Sequence, residues 1–564
     1  SPQWAELNHL RRGMIADREI KLRDRLRIEQ TQWLKLWHDC AAFCCPHKAQ
    51  VVRSSQAAAV AKPTWNPQRQ NSVAMRALGI LSGGCKSWIL PGGGEGWGGV
   101  WEPHPGLSGS TKVADWLADC TKRSLPILEA GGFFTAGHEM FSDLGVFGTA
   151  SMFIDTGKEN PIVCQAKSPS DFVFMRDWEG NVSRVISTYR KKAQELRDMF
   201  GAENVPEKVT ADIAANKPDE LHEVIHSIYQ RDPKEVNPEY PDDPKGMRFA
   251  SCWIHVQDKK EMQEGGYQEM PWVIPRWLTW SDSSSYGTSP AMQALADIRG
   301  VNLLDMLLAT IAELQVNPRV KVLPSHTGAI DLSPGGVTQL SGADSAVEWG
   351  TVGRFDFGEA MIQRKENQIL QTFHADLFQS ISPIVQQREL TNYVAQALER
   401  EAAANISPAM GRLASDFINP AMVRIFMVLY RAGLFEEPPD EAYYQDTAGQ
   451  RYLVFPRVAQ TSRMSQALNS RNAFAFQSAM QRIAPIAAVK PELMDLYDFE
   501  RIARDLDRGD GMPPKWHNDE DAVAKMRADR AQAQQAQMAQ QVAAQAMASK
   551  PREVAELAGL TQPT

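Results

Sequence analysis

No run of apolar residues in this chain approaches the roughly eighteen that a membrane-spanning helix needs, so the sequence predicts no membrane segment. The start, Ser1-Pro2-Gln3-Trp4, lacks the basic and apolar regions of a secretory signal, and synthesis in the cytoplasm is expected. Positive charge is not in excess either. Lys and Arg total 60 against 68 Asp and Glu, a net charge of −8, whereas a tight grip on phosphate needs clustered cations. That balance excludes a protein whose main task is holding nucleic acid, though not one past which DNA slides. Cysteine is sparse. Cys40, Cys44, Cys45, Cys85, Cys120, Cys164 and Cys252 are odd in number, confined to the first half and without framework spacing, so reduced thiols are expected. Cys40, Cys44, Cys45 and His47 stand close together, but no second ligand pair has comparable spacing, which points to thiols near a helix end rather than a metal site. No Gly-x-Ser-x-Gly elbow is present, nor any visible set of nucleophile, base and oxyanion donors.

What is present is ordinary globular material. The 564 residues suffice for two or more cores, and 43% hydrophobic with 23% charged excludes disorder throughout. Two motifs imitate known chemistry. Gly79-Ile-Leu-Ser-Gly83-Gly84-Cys85-Lys86-Ser87 resembles a phosphate-binding loop, but Cys85 intrudes before Lys86 and the run closes a helix instead of following a strand. His222-Glu223-Val224-Ile225-His226 matches the zinc peptidase pattern, in which two histidines one helical turn apart hold the metal and the glutamate activates its water. Asp232 occupies the place of the third metzincin histidine, and Glu223 to Tyr229 also alternates as a strand would, which throws neighbours onto opposite faces. The strand reading makes His222 and His226 incidental, partly exposed side chains.

Along the chain, Arg11 to Cys45 reads as a long helix closed by Pro46, with Leu22, Leu26, Trp33, Leu34 and Trp37 suited to packing on a larger body. Asn71 to Ser87 and Val113 to Glu129 are also helical. From Gly148 the texture turns to strands at Thr149–Asp155, Asp171–Met175, Val182–Tyr189 and Phe249–Val256, with a helix at Lys191–Phe200. Val205 to Pro218 reads as polar surface, and Glu264-Gly265-Gly266-Tyr267 as a turn before Trp272 to Trp280.

The stretch from Tyr286 to Gly433 organises the rest. Ser289 is suited to cap a helix and Pro290 to its first position, where a missing N–H costs nothing. Apolar residues from Leu295 to Leu314 recur every three or four positions, and Asn317-Pro318 ends the helix. Arg319 to Leu323, with Lys321 inside it, alternates like a strand and opens a Gly- and Ser-rich insert with β character. A second helix begins at Asp356, with Glu359 placed as in a capping box, and stops at Ser382-Pro383. A polar loop with Gln386, Gln387 and Arg388 leads to a third helical run from Leu390, interrupted at Asn405-Ile406-Ser407-Pro408 and closing near Gly433. Beyond it lie an acidic loop, a strand at Tyr452–Phe455, helical runs at Ser462–Ile483 and Leu493–Leu506, and a linker at Pro513-Pro514. Glu520 to Met547 is Ala- and Gln-rich, a good helix former with little apolar surface.

This order resembles the portal, or head-to-tail connector, proteins of short-tailed double-stranded DNA bacteriophages. The resemblance rests on Tyr286-Gly287-Thr288-Ser289-Pro290, the kinked helix ending at Gly433, the opening helix with Trp33, Trp37 and Pro46, the segment Asn71 to Trp88 before a Pro-Gly turn, and the Gln/Ala-rich tail. It covers most of the chain and consists of many weak matches in the right order. It implies an α+β, mainly α, subunit with a mixed wing at 1–285, stem helices at 286–317 and 356–381, and a β-containing clip at 318–355. A tunnel loop at 382–390, a long kinked wing helix at 391–433, a wing return at 434–512 and a crown or frayed tail at 513–564 complete it. The resemblance further implies a homododecameric ring at the head–tail vertex of the virion, assembled in host cytoplasm. Double-stranded DNA passes through such a ring without sequence specificity. The clip, including Arg319 and Lys321, meets the terminase motor and later a tail adaptor; the wing faces major capsid and scaffolding proteins. Gln386, Gln387 and Arg388 correspond to the loop that touches DNA, although an ordinary surface connection stays open. No cofactor, membrane or catalysis is implied. Two other classes remain: a zinc metallopeptidase using His222, Glu223 and His226, or another virion structural protein such as an adaptor or scaffold.

Overall fold

The structure, a computed structural model, describes residues 2–53, 71–90, 99–107, 110–236, 243–280, 284–316, 320–322, 346–348, 355–379, 406–445, 451–459 and 520–558, with short pieces between 476 and 506. It divides into two compact units, one of residues 1–100, 120–436 and 458–471, the other of residues 101–119, 437–457 and 472–564.

In the first unit, helix α1 (Pro2–Cys44) runs further towards the N-terminus than the apolar spacing indicated. Pro46, expected to close it, instead opens α2 (Pro46–Arg53) after a one-residue break, because proline has no N–H to lose at a first turn. Helix α3 spans Val73–Ile89, a short strand β1 covers Val100–Glu102, α4 covers Thr111–Ala130, and α5 covers Phe133–Phe147. Strands β2 (Met152–Asp155) and β3 (Val163–Ala166) form a small antiparallel sheet. Next come β4 (Phe172–Arg176), β5 (Val182–Lys192), α6 (Ala193–Phe200), α7 (Glu207–Ala214), β6 (Leu221–Gln230), β7 (Phe249–His255) and β8 (Lys260–Tyr267). These five strands pair antiparallel in sequence order, and β9 (Trp272–Val273) joins β2.

Each face of the five-stranded sheet has its own cover. On one, Ile186, Ile225, Cys252 and Ile254 pack against Ala16, Ile20 and Leu26 of α1. On the other, Val224 and Met262 pack against Ala193, Leu196, Phe200 and Val209 of α6 and α7. The segment read as polar surface therefore contains a helix that buries Val209. Gly265 and Gly266, read as a turn, lie inside β8 opposite Ser251 and Ala250. For Gly266 the lack of a side chain has a packing cause: a Cβ there would sit 2.7 Å from the Pro244 carbonyl oxygen.

Helix α8 (Pro290–Val316) begins where the sequence placed it. The Ser289 hydroxyl accepts from Met292 N at 3.0 Å and donates to Val146 O at 2.7 Å, so the cap also ties α8 to the end of α5. Gly287 N donates to the Thr149 hydroxyl at 2.8 Å. Tyr286 stands among Trp33, Trp37 and Phe174, with ring centroids 5.9, 5.3 and 5.2 Å away. Short strands β10 (Val320–Val322) and β11 (Ala346–Glu348) pair antiparallel between α8 and α9 (Phe355–Thr372). Helix α10 (Ala375–Gln379) follows a break at His374, whose φ is +54°.

Helix α11 (Ile406–Arg431) contains a π turn at Ala414–Ile418, which the sequence reading did not anticipate. Of the interruption expected at Asn405-Ile406-Ser407-Pro408, Ile406 to Pro408 are instead helical, Pro408 falling in the first turn where its missing N–H costs nothing, and Asn405 lies outside the described residues. Gly433, with φ +67°, ends the helix as expected. Among the described residues α11 is long and apolar enough to cross a membrane, but Leu413, Phe417, Met422, Ile425, Phe426 and Leu429 are buried in the protein core, and buried Arg424 reaches Glu269 at 3.0 Å. In the second unit, β12 (Tyr443–Gln445) and β13 (Arg451–Leu453) form a hairpin, Lys112 pairs with Glu441 at 3.1 Å, and α12 (Glu520–Ala558) carries the Ala/Gln-rich stretch.

Gly148 combines a left-handed backbone with one of the closest approaches in the fold. Its φ is +70°, and a Cβ there would collide with the Gly287 carbonyl oxygen. Gly148→Ala is expected to cost at least about 2 kcal/mol in urea denaturation. Gly180→Ala, at a comparable φ of +87° but in open space, should cost less; equal losses would contradict crowding at Gly148.

Candidate functional site

The zinc-like run is dismantled by its secondary structure. His222 to His226 lie on β6, where alternate residues share a face, so the two histidines stand roughly 13 Å apart along the strand. Glu223 points to the other face, where Arg23 of α1 donates to it at 2.5 Å. His222 Nδ1 and His255 Nε2 share a hydrogen bond of 3.1 Å, while His226 Nε2 bonds the Ser251 hydroxyl at 2.8 Å. Both histidines are buried, not partly exposed as the sequence reading had them, because α6 and α7 cover this face. No peptidase geometry can arise when glutamate and histidines occupy opposite faces. Burial holds His226 neutral by lowering its pKa to about 3.

The other imitations resolve similarly. Gly79 to Ser87 lies within α3, and a Cβ on Gly84 would strike the Phe378 ring of α10, so the glycine serves close packing. Cys40, Cys44 and Cys45 are free and buried, and desolvation pushes the Cys40 and Cys45 thiols up to about 12 and about 11. Such thiols are poor metal ligands at neutral pH because the thiolate is the ligand. Among the described residues, no group of three or more His, Cys, Asp or Glu could hold a metal ion.

Of the residues assigned by resemblance, Gln386, Gln387, Arg388 and Arg319 lie outside the described residues. Lys321 lies on β10 opposite Val347 of β11. The feature that the described residues do build is the α8–α9 hairpin. Lys365 bonds Asp297 at 2.7 Å, and Gly358 admits the Leu308 side chain, so the helices run antiparallel in close contact. Asn71, just before α3, clamps them together. Its amide nitrogen donates to Asp305 at 2.8 Å and to Glu366 at 2.7 Å, and its backbone N–H donates to Asn302 at 3.1 Å. Sequence spacing gave no sign of this role, since the three partners lie more than two hundred residues away.

One side of α8 is thus engaged. Ile298 and Val301 are buried, whereas Leu303, Met306 and Leu307 are 53%, 47% and 47% exposed. With half-buried Leu314 they form a stripe at spacings of three, one and seven residues, a single helical face. A contiguous apolar helix face left in solvent marks an interaction surface.

The described residues thus form a folded body that carries a long helical hairpin, with two short paired strands between its helices in the chain. The chain belongs to the bacteriophage head to tail connecting protein family, whose profile matches residues 16–517. It is similar to the probable portal protein of Bordetella phage BPP-1, at 24% identity over 90% of both chains. The portal protein of Salmonella phage epsilon15 is 24% identical over 94% of this chain and 93% of its own. The family is structural, and a head-to-tail connector has its place in the virion where head meets tail.

His226 gives this body a pH dependence of definite sign. Its folded pKa lies below the unfolded value of about 6.5, so the unfolded chain binds the proton more tightly, and stability falls as pH drops below that value. Asp171, raised by burial to about 6, acts oppositely, since its protonation on acidification relieves a buried charge. Comparing wild type with His226→Gln cancels Asp171. Between pH 7 and pH 5 the wild type should lose about 2 kcal/mol more in urea denaturation than the variant; parallel losses would contradict a buried neutral histidine.

Proposed function

We propose that the chain is the subunit of a portal ring at the capsid vertex, a channel for double-stranded DNA during packaging and ejection. The observation that carries this reading is the exposed apolar stripe of Leu303, Met306 and Leu307 on a helix whose other side is held by α9 and Asn71. Helices presented this way, repeated by rotation, build a wall in which each stripe meets the next copy, the closed arrangement usual for homo-oligomers. The ring is a dodecamer, assembled in host cytoplasm, with no cofactor and no catalytic step.

Under this reading residues 1–285 form the wing, α8 and α9 the stem, and 318–355 the clip. Residues 391–433 are the kinked wing helix, 434–512 the wing return, and the Ala/Gln-rich end the crown. The clip, with Arg319 and Lys321, docks the terminase motor and then the tail adaptor, while the wing meets capsid and scaffolding proteins. Residues 382–390 form the tunnel loop, where Gln386 and Gln387 hydrogen-bond phosphate oxygens and Arg388 adds one positive charge per copy. The acids of the stem, among them Asp305, Glu313, Glu359, Glu366 and Asp376, outnumber its bases, so the wall repels phosphate and lets the duplex slide.

The test is assembly of Met306→Glu with Leu307→Glu. Both positions are already half exposed, so the subunit should stay folded by circular dichroism, while light scattering should report single chains of 62.8 kDa in place of rings. Rings of unchanged mass and yield would contradict the stripe as the subunit contact.

A further inference from the structure

The β4–β5 hairpin carries a tryptophan at its tip. Trp178 is 92% exposed, yet the turn that holds it is closely braced. Asp177 N donates to Asn181 O at 2.9 Å, Gly180 N to Asp177 O at 3.1 Å, and Asn181 N to the Asp177 carboxylate at 2.8 Å. Arg176, itself bonded to Ile274 O, donates to Gly180 O at 2.6 Å. Gly180, with φ +87°, supplies the left-handed residue the turn requires. An indole held rigidly in water exposes a large apolar area at low remaining entropy cost, the profile of a binding anchor.

A groove of about 940 Å³ lies where β5 leads into α6, floored by Met199, Phe200, Pro218 and Trp253. Its floor is fixed, because the Trp253 ring stacks on His226 at 4.1 Å and neighbours Phe200 at 5.5 Å. Lys158 and Lys192 also line it. The groove's carboxylates are engaged within the subunit: Asp219 by Lys192, Glu195 by Lys191, and Asp198 by the Gln194 amide. Lys158 pairs with no acid among the described residues. The tip of the hairpin carries Asp177 and Glu179 beside the indole, and Glu179 has only the Asn181 amide near it, at 3.3 Å.

We propose that Trp178 of one copy docks into this groove of the next copy, with Glu179 approaching Lys158. The tip precedes Val182, whereas Trp253 is in register with Ser187 through His226 and Lys192 closes the strand, so the groove begins roughly 17 Å along β5 from the tip and reaches roughly 33 Å. One subunit cannot satisfy itself across that distance. Two different patches that fit each other make a heterologous contact, which repeats from copy to copy and gives a ring when the rotation between copies closes. The proposal rests on the ring reading and adds to it a second contact, in the wing sheet and distinct from the α8 stripe.

Two variants test it on the full chain. Trp178→Ala removes an exposed side chain, so the fold should persist, while half-assembly should require roughly tenfold more protein, as expected of an anchor tryptophan. Glu179→Cys combined with Met199→Cys should form disulfides only between copies, giving a ladder of covalent multimers on oxidation, because the native cysteines are buried. Rings that form at wild-type concentration with Trp178→Ala and give no ladder would overturn the docking while leaving the ring intact. Wild-type chains that stay single at every concentration would overturn the ring reading and this contact with it.

Discussion

The crossing of Gly148 and Gly287 is the constraint on which the fold depends. Two backbones meet there without side chains, and every neighbouring element is referred to that contact. Ser289 caps α8 and bonds the end of α5 in one hydroxyl, Thr149 receives Gly287 N, and Trp277 N donates to Gly148 O at 2.9 Å. Tyr286 then inserts among the α1 tryptophans and Phe174 of the sheet. Helix α8 consequently leaves the body in a direction fixed by α1, α5 and β4 together, and its outer apolar face stays in solvent instead of folding back on its own core.

Function follows from that fixed exit. A helix that carried its apolar stripe on a flexible joint would lose entropy on each association, whereas this one is presented already oriented. Asn71 extends the same logic to α9: one side-chain amide reaches two carboxylates on different helices, so the hairpin behaves as a unit. Between β4 and β5 the braced turn around Trp178 repeats the pattern on a smaller scale. The rigidity is built inside the subunit, and the unpaired apolar surface is left at its margins.

The parts of this architecture legible in the sequence are those set by local rules. Ser289-Pro290, Asn317-Pro318 and Gly433 mark helix ends through capping and backbone geometry, and α8 starts where they placed it. Alternation at Glu223 to Tyr229 was enough to put His222-Glu223-Val224-Ile225-His226 on a strand. What the sequence hid depends on partners far along the chain. Gly265-Gly266 has turn composition, yet serves an edge strand crowded by Pro244. His222 and His226 are polar, yet α6 and α7 bury them. The π turn at Ala414–Ile418 and the Asn71 clamp leave no periodic trace, and Trp178 looks in sequence like any turn residue. The resemblance to portal proteins came from the order of many such local signals, while the exposed apolar stripe of α8 became visible only when burial was known.

The central claim is that the outward stripe of α8 is a subunit contact of a closed ring. A cryo-electron microscopy reconstruction of the assembled protein tests it most directly. The account predicts a ring around an open channel, with Leu303, Met306 and Leu307 of each copy buried against the adjacent one. A ring in which those three side chains face solvent or the channel, or a protein that forms no ring, would contradict it.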